Sequence, residues 1–191
     1  MDWYQKAADQ GHADAQNNLG LAHQAGMGVP KDNNQAVLWY RKAADQGLPA
    51  AQTNLGVMYT RGEGVPKNDE QAAHWYRKAA DQGDALGQFN LSIAYADGRG
   101  VPKDDQQALF WCRRAAEQGR AAAQNNLGFM YFNGQGTPRD PEQGVFWYRK
   151  AADQGLAMAQ GNLGIAYAIG QGAPKNEQRA YFWLLLASAN G

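Results

Sequence analysis

The chain is poor in the residues that most chemistry needs. One cysteine, Cys112, stands among 191 residues, so no disulfide forms within it. Two serines are present, Ser92 and Ser188, and neither opens the Ser-x-x-Lys by which an acyl-transferring serine is activated. The three histidines, His12, His23 and His74, show no metal-ligand spacing, so neither a metal nor any other cofactor is expected. With no constellation of nucleophile, base and acid in sight, the expectation is a protein that is not an enzyme. Charge of a single sign is lacking too. Eighteen basic side chains face eighteen acidic ones, which leaves no field to concentrate a polyanion and speaks against nucleic acid as a partner. No apolar run approaches the roughly 20 residues that span a bilayer. The start, Met1-Asp2-Trp3-Tyr4, has no signal-peptide pattern and enters a helix midway, as an excised segment would.

What the chain does have is repetition. Its six tryptophans, Trp3, Trp39, Trp75, Trp111, Trp147 and Trp183, are 36 residues apart without an insertion. A fixed period of this length marks a solenoid, in which no repeat buries its own apolar face and each stacks on the next. The expected organisation is one repeat domain over 1–191, with a helical stub at 1–11 and repeats at 12–47, 48–83, 84–119, 120–155 and 156–191.

Each repeat carries two sets of helix punctuation. Val29-Pro30-Lys31-Asp32 and its equivalents place Asp or Asn where a side chain can accept from the free amides of a helix start. Gln follows three residues later in the pairs Asp32/Gln35, Asn68/Gln71, Asp104/Gln107 and Asp140/Gln143, resembling a capping box. This tryptophan helix, about 33 to 46, closes at Gly47 and its equivalents. The other helix, about 13 to 25, closes at Gly26 and a recurring Gly-x-Gly turn. Pro49 and Pro141 suit first helical positions.

Periodicity tells which faces are buried. Ala36, Trp39, Tyr40 and Ala43 form the stripe of the tryptophan helix, with each indole as an anchor; Ala15, Leu19 and Ala22 form that of its partner, with Gly20 where another backbone can approach. Ser92 stands in this glycine column and Cys112 in the tyrosine column, which assigns both to packing. Repeated basic pairs such as Arg41-Lys42 read as a solvated face, each Arg meeting an acid four residues on (Asp45 for Arg41).

The string Ala-x-x-Trp-Tyr-Arg-Lys-Ala-Ala-Asp-Gln-Gly, followed by Ala-Gln-x-Asn-Leu-Gly-x-x-Tyr and Gly-x-Gly-Val-Pro-Lys-Asp, resembles the Sel-one-like repeat, a relative of the tetratricopeptide repeat, over the whole chain. The resemblance implies an all-α, right-handed superhelical solenoid of antiparallel helix pairs, with the Ala-Gln-x-Asn-Leu-Gly helices lining the concave side. It implies a non-catalytic adaptor or scaffold, and a bacterial envelope, periplasmic or secreted setting. Two other functions remain beside it: a cell-envelope hydrolase or peptidoglycan binder, since some relatives carry β-lactamase labels, and an RNA-reading helical repeat, whose period is close.

For a protein or peptide partner the candidate surface is that concave face. At 100° per residue, positions 14, 17, 21 and 24 project away from Ala15, and their columns vary while the scaffold does not. They include Asn17, Thr53, Phe89 and Asn125 in one column and Gln24, Thr60 and Phe132 in another. Beside them runs an invariant column, Asn18, Asn54, Asn90, Asn126 and Asn162, in a place where asparagine disfavours helix. These amides either hydrogen-bond the backbone of an extended peptide or tie each helix to the next repeat. In the last repeat Leu184, Leu185 and Leu186 replace charged positions, so that helix is expected to pack under a further segment or partner, or to self-associate.

Overall fold

The computed structural model describes residues 2–191, with side chains from Tyr4 onward; the Trp3 indole lies outside the described residues. Among them are eleven α-helices and no strand: α1 (Asp2–Asp9), α2 (Ala13–Ala25), α3 (Asn33–Asp45), α4 (Pro49–Arg61), α5 (Asp69–Asp81), α6 (Ala85–Asp97), α7 (Asp105–Glu117), α8 (Ala121–Asn133), α9 (Pro141–Asp153), α10 (Ala157–Ile169) and α11 (Glu177–Asn190). Even-numbered elements are the Ala-Gln-x-Asn-Leu-Gly helices, called asparagine helices below, and odd-numbered ones are tryptophan helices. None of them is long and apolar enough to cross a membrane. Two compact units divide the chain, Met1–Lys103 with α1 to α6 and Asp104–Gly191 with α7 to α11.

Local chemistry sets the helix limits. The side chains of Asp32, Asn68, Asp104, Asp140 and Asn176 each accept from amides two or three residues on, capping the tryptophan helices. The capping box is only half made. The backbone N–H of Asp32, Asn68, Asp140 and Asn176 donates instead to a carbonyl near the end of the preceding asparagine helix (His23, Tyr59, Tyr131 and Tyr167), so the cap also fastens the hairpin. Asparagine helices end at glycines in the left-handed region, such as Gly62 at φ +69°.

Packing within each unit follows size complementarity. Tyr40 is fully buried, lying over Gly20; a Cβ built there would stand 2.5 Å from its ring. Tyr76 over Gly56 and Tyr148 over Gly128 repeat the arrangement. Consecutive hairpins interlock. In the first unit Trp75 joins a core of Val37, Tyr40, Leu55 and Met58, and in the second Val145, Tyr148, Leu163 and Tyr167 form the counterpart, with Trp183 packed against it.

The indoles are less uniform than their spacing. Trp39, Trp75 and Trp111 are buried, whereas Trp147 and Trp183 are half-buried. The fully enclosed column is that of the leucines (Leu19, Leu55, Leu91, Leu127, Leu163), none more than 2% exposed. Burying a leucine contributes roughly 1.5–3 kcal/mol, so leucine and tyrosine share the anchoring expected of tryptophan alone.

Cations cover the outer faces of the indoles. Lys42 lies 4.0 Å from the Trp39 ring centre and Lys78 4.6 Å from that of Trp75. The neighbouring arginines cross to the tyrosine of the following asparagine helix: Arg41 donates to the Tyr59 hydroxyl at 2.5 Å, Arg113 to Tyr131 at 2.6 Å, and Arg77 and Arg149 to Tyr95 and Tyr167. The expected pairing of Arg41 with Asp45 gives way to this contact, because a guanidinium bonded to a tyrosine hydroxyl across the joint is better placed than one in an exposed ion pair. The arginine of each basic pair is therefore a joint between repeats.

Candidate protein-binding face of the asparagine helices

The polar residues of the asparagine helices divide into those that hold the fold and those that face solvent. Glutamine, one residue after the buried alanine, belongs to the first group. Gln16, Gln52, Gln88, Gln124 and Gln160 are buried, and each donates to a carbonyl of the preceding tryptophan helix eight residues back (Ala8, Ala44, Ala80, Ala116, Ala152) at 3.0–3.2 Å. Their carbonyl oxygens accept in turn: Gln46 donates to Gln16, Gln82 to Gln52, Gln154 to Gln124 and Asn190 to Gln160. This lock satisfies a carbonyl in the last turn of one helix and stitches three helices together. Its signal in the sequence is a polar column on the buried side of a helix, next to the alanine stripe.

The column at position 17 is not open. Asn17, Thr53 and Asn125 are 8%, 1% and 4% exposed. An asparagine helix is covered by tryptophan helices and, as α4 and α6 show, also touches the asparagine helix of the next repeat. More than one stripe of its circumference is therefore buried, and projection from a single stripe misplaces position 17. The contacts are specific. Asn54 donates to Asn17 at 3.0 Å, Asn162 donates to Asn125 at 2.9 Å, and the Thr53 hydroxyl bonds the Asp84 carboxylate at 2.7 Å.

The column at position 24 is likewise engaged. Gln24 accepts from the Tyr40 hydroxyl at 2.6 Å, Thr60 lies 2.9 Å from that of Tyr76, and the Phe132 ring packs 6.0 Å from that of Tyr148. Burial pushes the Tyr40 phenol up strongly and that of Tyr148 up to about 12. Tyr76 is also raised, by burial first, with the Thr60 bond and then Arg61 and Arg99 opposing and Asp69 reinforcing. Phe89 is half-buried. In the invariant column Asn18 is exposed and Asn54, Asn90, Asn126 and Asn162 are half-buried.

What remains open on the asparagine helices is mostly apolar. Position 21 and its equivalents are Leu21, Val57, Ile93, Phe129 and Ile165, of which Leu21, Phe129 and Ile165 are 38%, 50% and 52% exposed. In the second unit Met158 and Ile169 are exposed as well. Apolar groups repeated at 36-residue intervals on a solvent-facing helix surface are what a protein-binding surface presents.

The fold defines an all-α helical-repeat protein. The Sel1 repeat pattern matches residues 1–12, 13–48, 49–84, 85–119, 121–156 and 157–191, and the chain belongs to the Sel1 repeat family, whose members are commonly scaffolds for protein–protein interaction and generally non-catalytic. Among solved structures it is similar to c5321, a protective antigen of uropathogenic Escherichia coli strains displaying an SLR fold, with 41% identity and a TM-score of 0.94 over all of this chain and 41% of that one. It is similar also to a Sel1 repeat protein from Oxalobacter formigenes (39% identity, TM-score 0.91, 95% of this chain and 72% of that one). A Pseudomonas aeruginosa immunity protein, PA5088, shares 26% identity over 94% of this chain and 65% of that one, with a TM-score of 0.60. The chain thus spans less than half the length of the E. coli antigen. No protein of curated function matches it.

Proposed function

We propose that the chain is one repeat domain over 1–191, built of 36-residue repeats, and a non-catalytic scaffold that binds an extended segment of a protein partner on the exposed face of its asparagine helices. The observation that carries this reading is the column Leu21, Val57, Ile93, Phe129 and Ile165, apolar in every repeat and open to solvent in three of them. The asparagine column borders it, so amides able to bond a peptide backbone lie beside side-chain contacts that differ from repeat to repeat. Peptides of about twelve residues selected by display on the wild-type chain should lose at least tenfold in affinity on a Phe129→Asp, Ile165→Asp variant with unchanged melting, since each apolar contact contributes roughly 1–2 kcal/mol. Undiminished binding to that variant would refute the face.

The last helix offers a second surface. Leu184 and Leu185 are 42% and 57% exposed, Leu186 is half-buried, and Tyr181 and Phe182 are open beside them. We assign to this face the association of one copy with another. Sedimentation of the wild-type chain should show a concentration-dependent dimer that Leu185→Glu abolishes, and a monomer at all concentrations up to about 1 mM would remove the assignment.

A further inference from the structure

The glutamine lock, the asparagine column and the glycine turns recur in every repeat, so chemistry peculiar to one place has to come from columns that differ. Arg61 and Arg99 are each the single arginine of such a column. The first reads Ala25, Arg61, Asp97, Asn133 and Ile169; the second reads Met27, Glu63, Arg99, Gln135 and Gln171. The two arginines stand one repeat apart in sequence, yet both line the same cleft of about 220 Å³ among α4, α5 and α6. Val57 and Ile93 contribute apolar wall, and Tyr76 and Asn90 polar atoms.

Asn90 is the member of its column whose amide nitrogen is buried without a partner. Asn54 and Asn162 spend their amides on the asparagine 37 residues earlier. For Asn90 that position is Thr53, whose hydroxyl already donates to Asp84. The Asn90 Nδ2 is left buried without a hydrogen-bond partner, a costly state for an amide unless a ligand supplies the acceptor. With threonine at 53, where the first and fourth repeats hold Asn17 and Asn125, the Asn90 donor is left free where two guanidiniums converge.

The charges select the ligand. Arg61 and Arg99 face one lining carboxylate, Asp69, leaving one positive charge in excess. Two further acids stand beside them outside the lining: half-buried Glu63 lies 3.9 Å from Arg61, and exposed Asp97 pairs with Arg99. Such pairs are weak and exchange readily. Both guanidiniums act on the Tyr76 hydroxyl, as does Asp69 with opposite sign, so their fields overlap inside the cleft. A monoanion fits this balance. A dianion would meet Asp69 with only one net charge to hold it.

We propose that the cleft binds a carboxylate of the partner segment, an acidic side chain whose oxygens accept from Asn90 Nδ2 and the Arg61 and Arg99 guanidiniums while its methylenes lie on Val57 and Ile93. This rests on the scaffold reading and deepens it, because it makes one residue of the bound segment acidic.

The test uses a small probe and therefore needs no identified partner. N-acetyl-glutamate amide is titrated into the ¹⁵N-labelled chain, with side-chain resonances of Asn90, Arg61 and Arg99 followed by NMR. A saturable shift confined to these groups is expected, with N-acetyl-glutamine amide binding at least about tenfold more weakly and Arg61→Gln, Arg99→Gln or Asn90→Asp losing a similar factor at unchanged melting temperature. No saturable shift, equal binding of the neutral amide, or tighter binding of inorganic phosphate would each overturn the assignment. Glutamate binding alongside a failed peptide selection would leave the cleft standing and remove the extended face. Selected peptides lacking any preference for an acidic residue would do the reverse.

Discussion

Replacing Gly100 by alanine should cost more than about 3 kcal/mol of folding free energy, the largest loss expected from adding one methyl group anywhere in the first unit. Its φ of +70° lies in the left-handed region, where an L side chain costs roughly 1–2 kcal/mol. A Cβ there would also stand 1.9 Å from the Asp69 carbonyl oxygen and 2.7 Å from the Glu70 nitrogen, at the start of α5. Backbone, unlike a flexible side-chain tip, cannot yield without moving the helix. Gly47 supplies the control. Its φ is +93° and a Cβ would meet nothing within 4 Å, so Gly47→Ala should cost only the conformational term of about 1–2 kcal/mol. Urea titrations followed by tryptophan fluorescence measure both; similar small losses at the two positions would show that the Gly-x-Gly turn tolerates a side chain against α5.

Stability should fall steeply above pH 10. The Tyr148 hydroxyl has its pKa raised by burial from 10.0 to about 12, and burial raises Tyr40 and Tyr76 in the same direction. The unfolded chain therefore ionises these phenols first. Their contribution is complete below pH 10, declines as the unfolded tyrosines lose protons, and is gone once the folded ones ionise as well. At 1.36 kcal/mol per pKa unit, Tyr148 alone withdraws about 2–3 kcal/mol between pH 10 and 12. It is 4% exposed, so solvent does little to screen the effect. Melting temperatures taken by circular dichroism from about pH 9 to pH 12 should drop accordingly. Tyr148→Phe should flatten the slope by about one proton in that window. An unchanged slope would mean that the ring gains water before the helices separate.

Much of the architecture was readable because it depends on local signals. Asp32 and its equivalents cap the helices they appeared to cap, Gly26 and its equivalents end them, and the 36-residue interval between tryptophans is the interval between hairpins. The face of contact was less legible. Rotation away from one buried stripe puts position 17 outside, but a helix in a stack has several such stripes; Asn17, Thr53 and Asn125 are interior, while the apolar column at Leu21 carries the open surface. The arginines at 41, 77, 113 and 149 looked like partners for acids one turn away and instead reach tyrosines 18 residues on, a distance in sequence that says nothing of nearness in space.

By itself the sequence determined the helices, their number, the length of the repeat and the residues too small or too large for any other place, because each of these follows from capping, periodicity and volume within a single turn or hairpin. Only the tertiary structure decided which amides are spent. Asn54 reaches Asn17, Thr53 reaches Asp84, and Asn90 is thereby left without a partner beside Arg61 and Arg99. A hydrogen bond between repeats forms or fails on a few tenths of an ångström, set by how one helix seats on the next, and no column of letters carries that distance.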